Sequence, residues 1–407
     1  MNRPELVAPA ATIVCAEAAM RSGADAVYAG VGPHNLRANA PNLSMGDLRD
    51  LLELRTALRR KAYVVLNSMP DDRDLEHIRG LLVELVERKT LPDALIVSDP
   101  GVLAECRKSV PQCRLHLSTQ TGTFNTAAMR FWADQGIRRV VLPRECTLEQ
   151  IAGLSRAGCC ETEVFIHGAM CVAVSGRCLL GAYQHGRHAN RGDCPQPCRS
   201  RYRIQLADRA GGWLDAEEDG EGAYLLNSKD LNSIEILPSI IAAGVSALKI
   251  EGRNKTEHYV ATVCGIYRQA IDACMAAGTA YRVSDEWRAE LDRLEHRPYT
   301  TGFYAGEMVL QDVRSARNDA AQRIVGIVKA FIGGGLPVID VKNRFCAGEA
   351  LTVSPVSHKL PAYPLTFTSL TDLGGVALDC GRPGRLVVGW GAAALREGDL
   401  IRRENGR

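Results

Sequence analysis

Eight short apolar runs alternate with longer amphipathic stretches over the first two-thirds of the chain, and this alternation limits the fold more than any other feature. The runs are Glu5–Ala8, Ala26–Ala29, Ala62–Leu66, Ala94–Val97, Arg114–Ser118, Arg139–Leu142, Glu163–Ile166 and Ala247–Ile250. Runs this short, followed at once by polar or small residues, suit strands covered on both faces. Between them apolar residues recur at helical spacing, as at Leu48, Leu51, Leu52, Leu54 and Leu58, or Leu75, Ile78, Leu81, Leu82 and Leu85. Gly23, Gly136 and Gly244 stand where a helix would end just before a strand, the position that favours a left-handed cap. Eight strands with eight helices, the last at Thr256–Ala276, predict an α/β fold of the TIM-type (β/α)8 barrel. A doubly wound open sheet obeys the same alternation, which does not by itself demand closure.

From about Gln322 the texture changes. Short strand candidates at Ile324–Val328, Pro337–Val341, Ala350–Val353, Thr366–Ser369, Leu386–Val388 and Asp399–Ile401 follow one another with no helical period between them. A chain of 407 residues is too long for one compact core. We therefore expect a barrel over 1–283 carrying an irregular insertion at 167–222, a connecting segment at 284–320 with a helix near Asp285–Leu294, and a small all-β barrel domain over 321–407. The insertion follows the seventh strand, on the face where barrel enzymes keep their chemistry.

The chain holds 14 cysteines. Its start, Met1 to Pro9, lacks the apolar centre of a secretory signal, and no apolar run reaches the length of a membrane span, so a cytoplasmic protein is expected. In a reducing compartment thiols at tight spacing point to metal or chemistry rather than to a disulfide framework. Cys171, Cys178, Cys194 and Cys198 form such a set, on Gly- and Pro-rich loops able to converge on one centre. Structural zinc brings two close Cys-x2–4-Cys pairs. Here the first pair is Cys-x6-Cys, a poor match to zinc and a better one to an iron–sulfur cluster. Cys159 and Cys160 read as packing residues. Cys15, Cys106, Cys113, Cys146, Cys264, Cys274, Cys346 and Cys380 look scattered and structural.

The net charge of +2 says little, but its distribution says more. Arg177, Arg187, Arg191, Arg199, Arg201 and Arg203 surround the cysteines against one acid, Asp193, a patch suited to phosphates of nucleic acid. Arg144, Lys249, Glu251 and Arg253 close the sixth and eighth strands, where arginine forks could take a carboxylate. His116, Thr119 and Gln120 close the fifth. His167 precedes Cys171 by four residues, so a Cys–His peptidase pair is a second reading.

The stretch Glu163-x-Phe165-x-His167-Gly168, then Cys171, then Ser175-Gly176-x-Cys178, resembles the signature of the bacterial collagenase-like peptidase family. Several members of that family are linked to hydroxylation rather than proteolysis. The resemblance continues through Gly23-Ala-Asp-Ala-Val-Tyr28, His116-Leu-Ser-Thr-Gln120, Val141-Leu-Pro-Arg144-Glu145, Asn227-Ser-Lys-Asp230 and Leu248-Lys-Ile-Glu-Gly-Arg253. Within the family the chain is most similar to the tRNA hydroxylation protein P group, which shares the Cys-x3-Cys second pair and a trailing β domain. That resemblance implies a 4Fe-4S cluster on the four cysteines and oxygen-independent formation of 5-hydroxyuridine at the tRNA wobble position. Prephenate would be the hydroxyl source and an electron donor protein a further partner. From their positions at strand ends, His167, Arg144, Lys249 and Glu251 are the candidate catalytic residues, and His116, Gln120, Arg144 and Arg253 the candidate substrate-binding residues. Hydroxylation of rRNA or of a ubiquinone ring, peptide hydrolysis, and a metal-stabilised nucleic-acid-binding scaffold are the alternatives. Val174, Gly181, His188 and Ser200 depart from the family's usual residues, but no departure removes a cysteine.

Overall fold

The computed structural model describes residues 3–200, 227–306, 322–355, 362–391 and 394–404, and the backbone of two short strands, Gln205–Ala207 and Trp213–Asp215. Eight parallel strands follow the expected runs: β1 Glu5–Ala10, β2 Ala26–Gly30, β3 Lys61–Leu66, β4 Ala94–Val97, β5 Arg114–Leu117, β6 Ile137–Val141, β7 Glu161–Ala169 and β8 Ala247–Ile250. Ala247 of β8 lies opposite both Glu5 of β1 and Glu163 of β7. The sheet is therefore closed, and the open doubly wound alternative falls.

Helices follow the strands, and local chemistry sets their starts. Ser44 with Asp47, Asp71 with Asp74, and Thr147 with Gln150 each form a reciprocal cap that satisfies two otherwise orphaned N–H groups. The helix Glu257–Ala277 packs on the outside of β1 and beside the helix Ile13–Arg21, and its Tyr267 reaches the Ile166 carbonyl of β7.

The lumen is packed rather than open. Val7, Ala26, Tyr28, Tyr63, Val65, Ala94, Ile96 and Ala247 form an inner apolar cluster. A ladder of paired charges crosses it. Arg139 reaches Glu5 at 2.8 Å and Glu163 at 3.1 Å, and Glu163 takes Lys249 at 2.7 Å. Tyr63 donates to Glu5, whose other oxygen takes Lys61 at 2.6 Å. Burial pushes the Glu163 carboxyl up, but Lys249 and Arg139 outweigh it and hold the pKa below its ordinary value.

The carboxyl half of β7 leaves the barrel wall. Phe165 stands opposite Lys249, yet His167 stands opposite Ile250, so Ile166 is the extra residue of a β-bulge. Beyond it, β7 pairs with a short antiparallel strand, Asp230–Asn232. The bulge's carbonyl is not left bare: Ile166 accepts from Ser233 N at 3.0 Å and from the Tyr267 hydroxyl at 2.9 Å.

After the helix Asp285–Asp292 comes a second body, an eight-stranded antiparallel sheet. Its strand order is Tyr363–Leu365, Leu351–Ser354, Leu400–Glu404, Gln322–Ile332, Leu336–Val341, Leu386–Trp390, Ser369–Thr371, Ala377–Leu378. The expected strand at Thr366–Ser369 is instead mostly the link between two distant strands of this sheet. Three residues can span only about 13 Å, so the sheet must curl to bring those strands together. Phe367, fully buried, fills the hollow against Gly389 and Phe345. Cys346 and Cys380, expected as separate thiols, lie directly opposite in a two-stranded ribbon and are joined by a disulfide. The sheet meets the barrel through Ile327 and Leu400 on Ala261, and through Arg402, which reaches Glu290 at 2.9 Å.

Candidate active site at the barrel mouth

A cavity of about 150 Å3 opens at the carboxyl ends of the strands. Its floor is Tyr28, Val65, Ile96, Val141 and Phe165, the uppermost layer of the lumen. Cys171, Cys178, Cys194 and Cys198 all line its wall, and Arg37, Arg144, Lys249, Glu251 and Arg253 line the rest.

Strand ends and short loops aim the charged groups. Arg144 follows β6, and its guanidinium lies over the Phe165 ring at 3.6 Å from the centroid while bonding Glu251 at 3.2 Å. Arg37, from the loop after β2, approaches the other Glu251 oxygen at 3.7 Å. Arg253, 3% exposed, donates to Asn42 at 2.7 Å, but its Nε is buried with no partner. Lys249 sits 4.2 Å from the centre of the Tyr28 ring while bonding Glu163. Burial pushes the Glu251 carboxyl up, yet the facing Arg37, Arg144 and Arg253 hold it below its ordinary value. Arg253 is buried and Arg144 largely buried beside this one carboxylate while Arg37 is partly exposed, so positive charge outweighs negative here. Such a surplus is costly unless an anion completes it.

The β7 bulge brings the two halves of the site together. Gly168 has φ +104, and a Cβ there would stand 2.3 Å from the Glu251 carbonyl oxygen. No other residue lets β7 pass so close to the backbone that carries Glu251. Cys171 lies three residues on.

The cysteine loops are tied down by their own backbone. Ala173 N donates to Cys171 Sγ and Leu180 N to Cys178 Sγ, each at 3.4 Å. The Asn190 side chain accepts from Cys178 N and donates to Cys178 O, both at 3.1 Å, and its own carbonyl takes Met69 N. Burial pushes the Cys198 thiol up, Arg199 pulls it down, and the thiols of Cys171 and Cys194 add to the rise. Among the described residues, no three His, Cys, Asp or Glu side chains draw together closely enough to hold a single metal ion.

Four residues named from sequence, Arg144, Lys249, Glu251 and Arg253, thus meet in the cavity with the four cysteines. Three others do not. His167 is turned outward by the bulge, 1% exposed, with Nδ1 3.3 Å from the Tyr267 hydroxyl, and burial drives its pKa down to about 3. His116 lies inside the lumen against Tyr63, its ring centre 4.9 Å away, and does not line the cavity. Gln120 is buried with neither amide atom partnered, and it too is absent from the cavity wall, though Ser118 and Thr119 are part of it. Arg177, Arg187 and Arg191 are exposed around the cysteine loops, whereas Arg199 is half-buried beside Arg297. Arg201 and Arg203 lie outside the described residues.

Arg37 was not foreseen, nor were the roles of Asn42 and Asn190. The loop after β2 carried a signal, since 33–42 is rich in Asn and Gly30 precedes it, but nothing in the pattern said that its one arginine would bend inward.

The profile of Peptidase family U32 matches residues 11–312, and the chain belongs to that family. It is 38% identical over 310 residues to tRNA hydroxylation protein P1 of Bacillus subtilis (strain 168), covering 75% of this chain and 72% of that one. To tRNA hydroxylation protein P of Escherichia coli (strain K12) it is 34% identical over 395 residues, 86% of either chain. To a protein named collagenase from Porphyromonas gingivalis (strain ATCC BAA-308 / W83) it is 31% identical over 348 residues, 83% of this U32 chain and 80% of that protein. Both hydroxylase and peptidase names thus occur among its relatives.

Proposed function

We propose that this U32 protein is an RNA-modifying hydroxylase whose substrate is tRNA, with a uridine at the wobble position as the base modified. The observation that carries the reading is the meeting, in one cavity, of four thiols with a cluster of guanidiniums that outnumbers its one carboxylate, Glu251. The relatives' names supply the reaction class. Cys171, Cys178, Cys194 and Cys198 would hold a 4Fe-4S cluster, a polynuclear group that suits thiols spread round a cavity better than a lone zinc ion does. When bound, such a cluster supplies redox chemistry or a Lewis-acidic iron at the mouth.

The chain's own residues do the rest. Arg37, Arg144 and Arg253 would grip a dicarboxylate hydroxyl source, for which prephenate is the candidate, and Glu251 spaces the three forks. Tyr28 and Phe165 provide an apolar floor that excludes water from the reacting carbon. Lys249, held by Glu163, fixes a positive charge at the centre of that floor.

The peptidase reading needs His167 to serve Cys171, and the bulge turns that imidazole into the layer between barrel and helix. The decisive experiment is nucleoside mass spectrometry of tRNA from a strain lacking this gene and carrying variants. Arg144→Ala should abolish hydroxylated uridine while anaerobically purified protein stays brown, Arg144→Lys should rescue poorly, and blocking prephenate synthesis should reproduce the defect. Persistence of the nucleoside in both cases, with gelatin cleavage by pure protein, would overturn the reading. A colourless protein with stoichiometric zinc would overturn the cluster.

A further inference from the structure

The two most exposed large apolar side chains among the described residues stand together at the rim of this cavity. Tyr183 is 90% exposed and Leu179 73% exposed. Tyr183 N donates to the Leu179 carbonyl at 2.9 Å, which places the two side chains one turn apart on the same face. The short helix that carries them, Leu180–His185, cannot swing away to bury them. Its inner face is Gly181, where a Cβ would stand 2.8 Å from Pro195 and 3.0 Å from the Arg187 carbonyl, so the helix is pressed on the stretch between Cys194 and Cys198. Leu180 lines the cavity while Tyr183, three residues on, faces solvent.

The surroundings are cationic. Arg177, Arg187 and Arg191 are exposed about this helix. Arg187 is held by Asp193, and Arg191 by Asp71 and Asp74, at 3.1 and 2.7 Å. Arg177 has no carboxylate partner among the described residues. A bare aromatic face set among guanidinium groups is complementary to a base with its phosphate, and only unpaired nucleotides present a free face; a duplex hides it in the stack.

We infer that Tyr183, with Leu179 beside it, is a stacking platform for an unpaired RNA base next to the nucleotide that enters the cavity, and that Arg177 takes the adjoining phosphate. This rests on the reading of RNA as substrate and adds how the rim selects a loop over a helix.

The test uses the full chain and two probes: a short RNA stem–loop with 2-aminopurine in its loop, and a fully paired RNA duplex. Tyr183→Ala should weaken stem–loop binding by about five- to a hundredfold and abolish the change in 2-aminopurine emission. Tyr183→Phe should keep both, duplex binding should be unaltered, and the melting temperature should not move because the side chain touches little. The platform is overturned if Tyr183→Ala binds the stem–loop as the native chain does, if Phe fails like Ala, or if duplex binding falls equally. A native chain that binds neither RNA sinks the RNA reading as well. A native chain that binds the stem–loop with no regard to residue 183 sinks the platform alone.

Discussion

Phe165 and His167 are two residues apart on one strand and yet face opposite sides of the barrel wall. Regular alternation would have put both inside, and with them a histidine beside Cys171. One inserted residue, Ile166, changes that, and no pattern in the surrounding apolar run announces it. The charged groups at strand ends were legible because a barrel's strand ends all point to one mouth. His167 was not, because a bulge reverses sides without changing composition. Its burial carries a measurable consequence. Free histidine titrates near 6.5, and here the pKa is held down to about 3, so the folded chain resists a proton that the unfolded chain accepts. The stabilising effect of the neutral ring is complete above pH 6.5 and is lost as pH falls towards 3. Between pH 6.5 and 5, where carboxylates barely titrate, this single group should remove about 1.5 kcal/mol of unfolding free energy. Urea unfolding of His167→Phe across that window should show a slope flatter by that amount. Equal slopes would mean that the ring already titrates in the fold. Hydroxylation by the folded fraction of the variant should persist, since the ring does not reach the cavity.

Elements were read best where burial imposed a simple period. All eight barrel strands fall on expected runs, because a strand covered on both faces must be apolar throughout. The β domain was less legible. Phe367 is apolar and fully buried, as a strand residue would be, but it belongs to the crossover between two strands. The disulfide was missed for a different reason. Cys346 and Cys380 meet only through the register of two strands 34 residues apart, which spacing cannot reveal. The β7 segment offers an element-level test. Gly168→Ala must both adopt φ +104 and displace the Glu251 carbonyl, so it should cost about 3 kcal/mol and disrupt the guanidinium crown. Gly186→Ala meets the first demand alone, at φ +65 with open space around it, and should cost about 1 kcal/mol. Similar losses in thermal or urea melts would show that β7 is not wedged against β8.

At the scale of the molecule, the curled sheet is bound to the barrel by a patch that includes a buried cation. Arg402 is 1% exposed and its guanidinium is met by Glu290 of the connecting helix. Removing it would leave Glu290 with Arg293 alone and open a void at the contact. Arg402→Ala should therefore cost about 3–5 kcal/mol and, in calorimetry, split one unfolding transition into two as the sheet loosens before the barrel. A single transition at an unchanged temperature would mean that the two bodies are not coupled through this residue. The change of texture near Gln322 was enough to announce a second body in the sequence. What joins it to the first was invisible, because a buried arginine reads in sequence like any exposed one.

The ladder that crosses the lumen bears on how such a chain can vary over evolutionary time. Glu5, Tyr63, Arg139, Glu163 and Lys249 come from five different strands, and each is the partner that keeps another from being a bare charge or hydroxyl in a dry interior. A drift that replaced one alone would strand its neighbour. Descendants of a common ancestor should accordingly keep all five or exchange them as a set for apolar residues. In an alignment of related barrels, then, these columns should covary more tightly with one another than with the columns beside them in the chain, and Lys249 would bind the history of the lumen to that of the mouth.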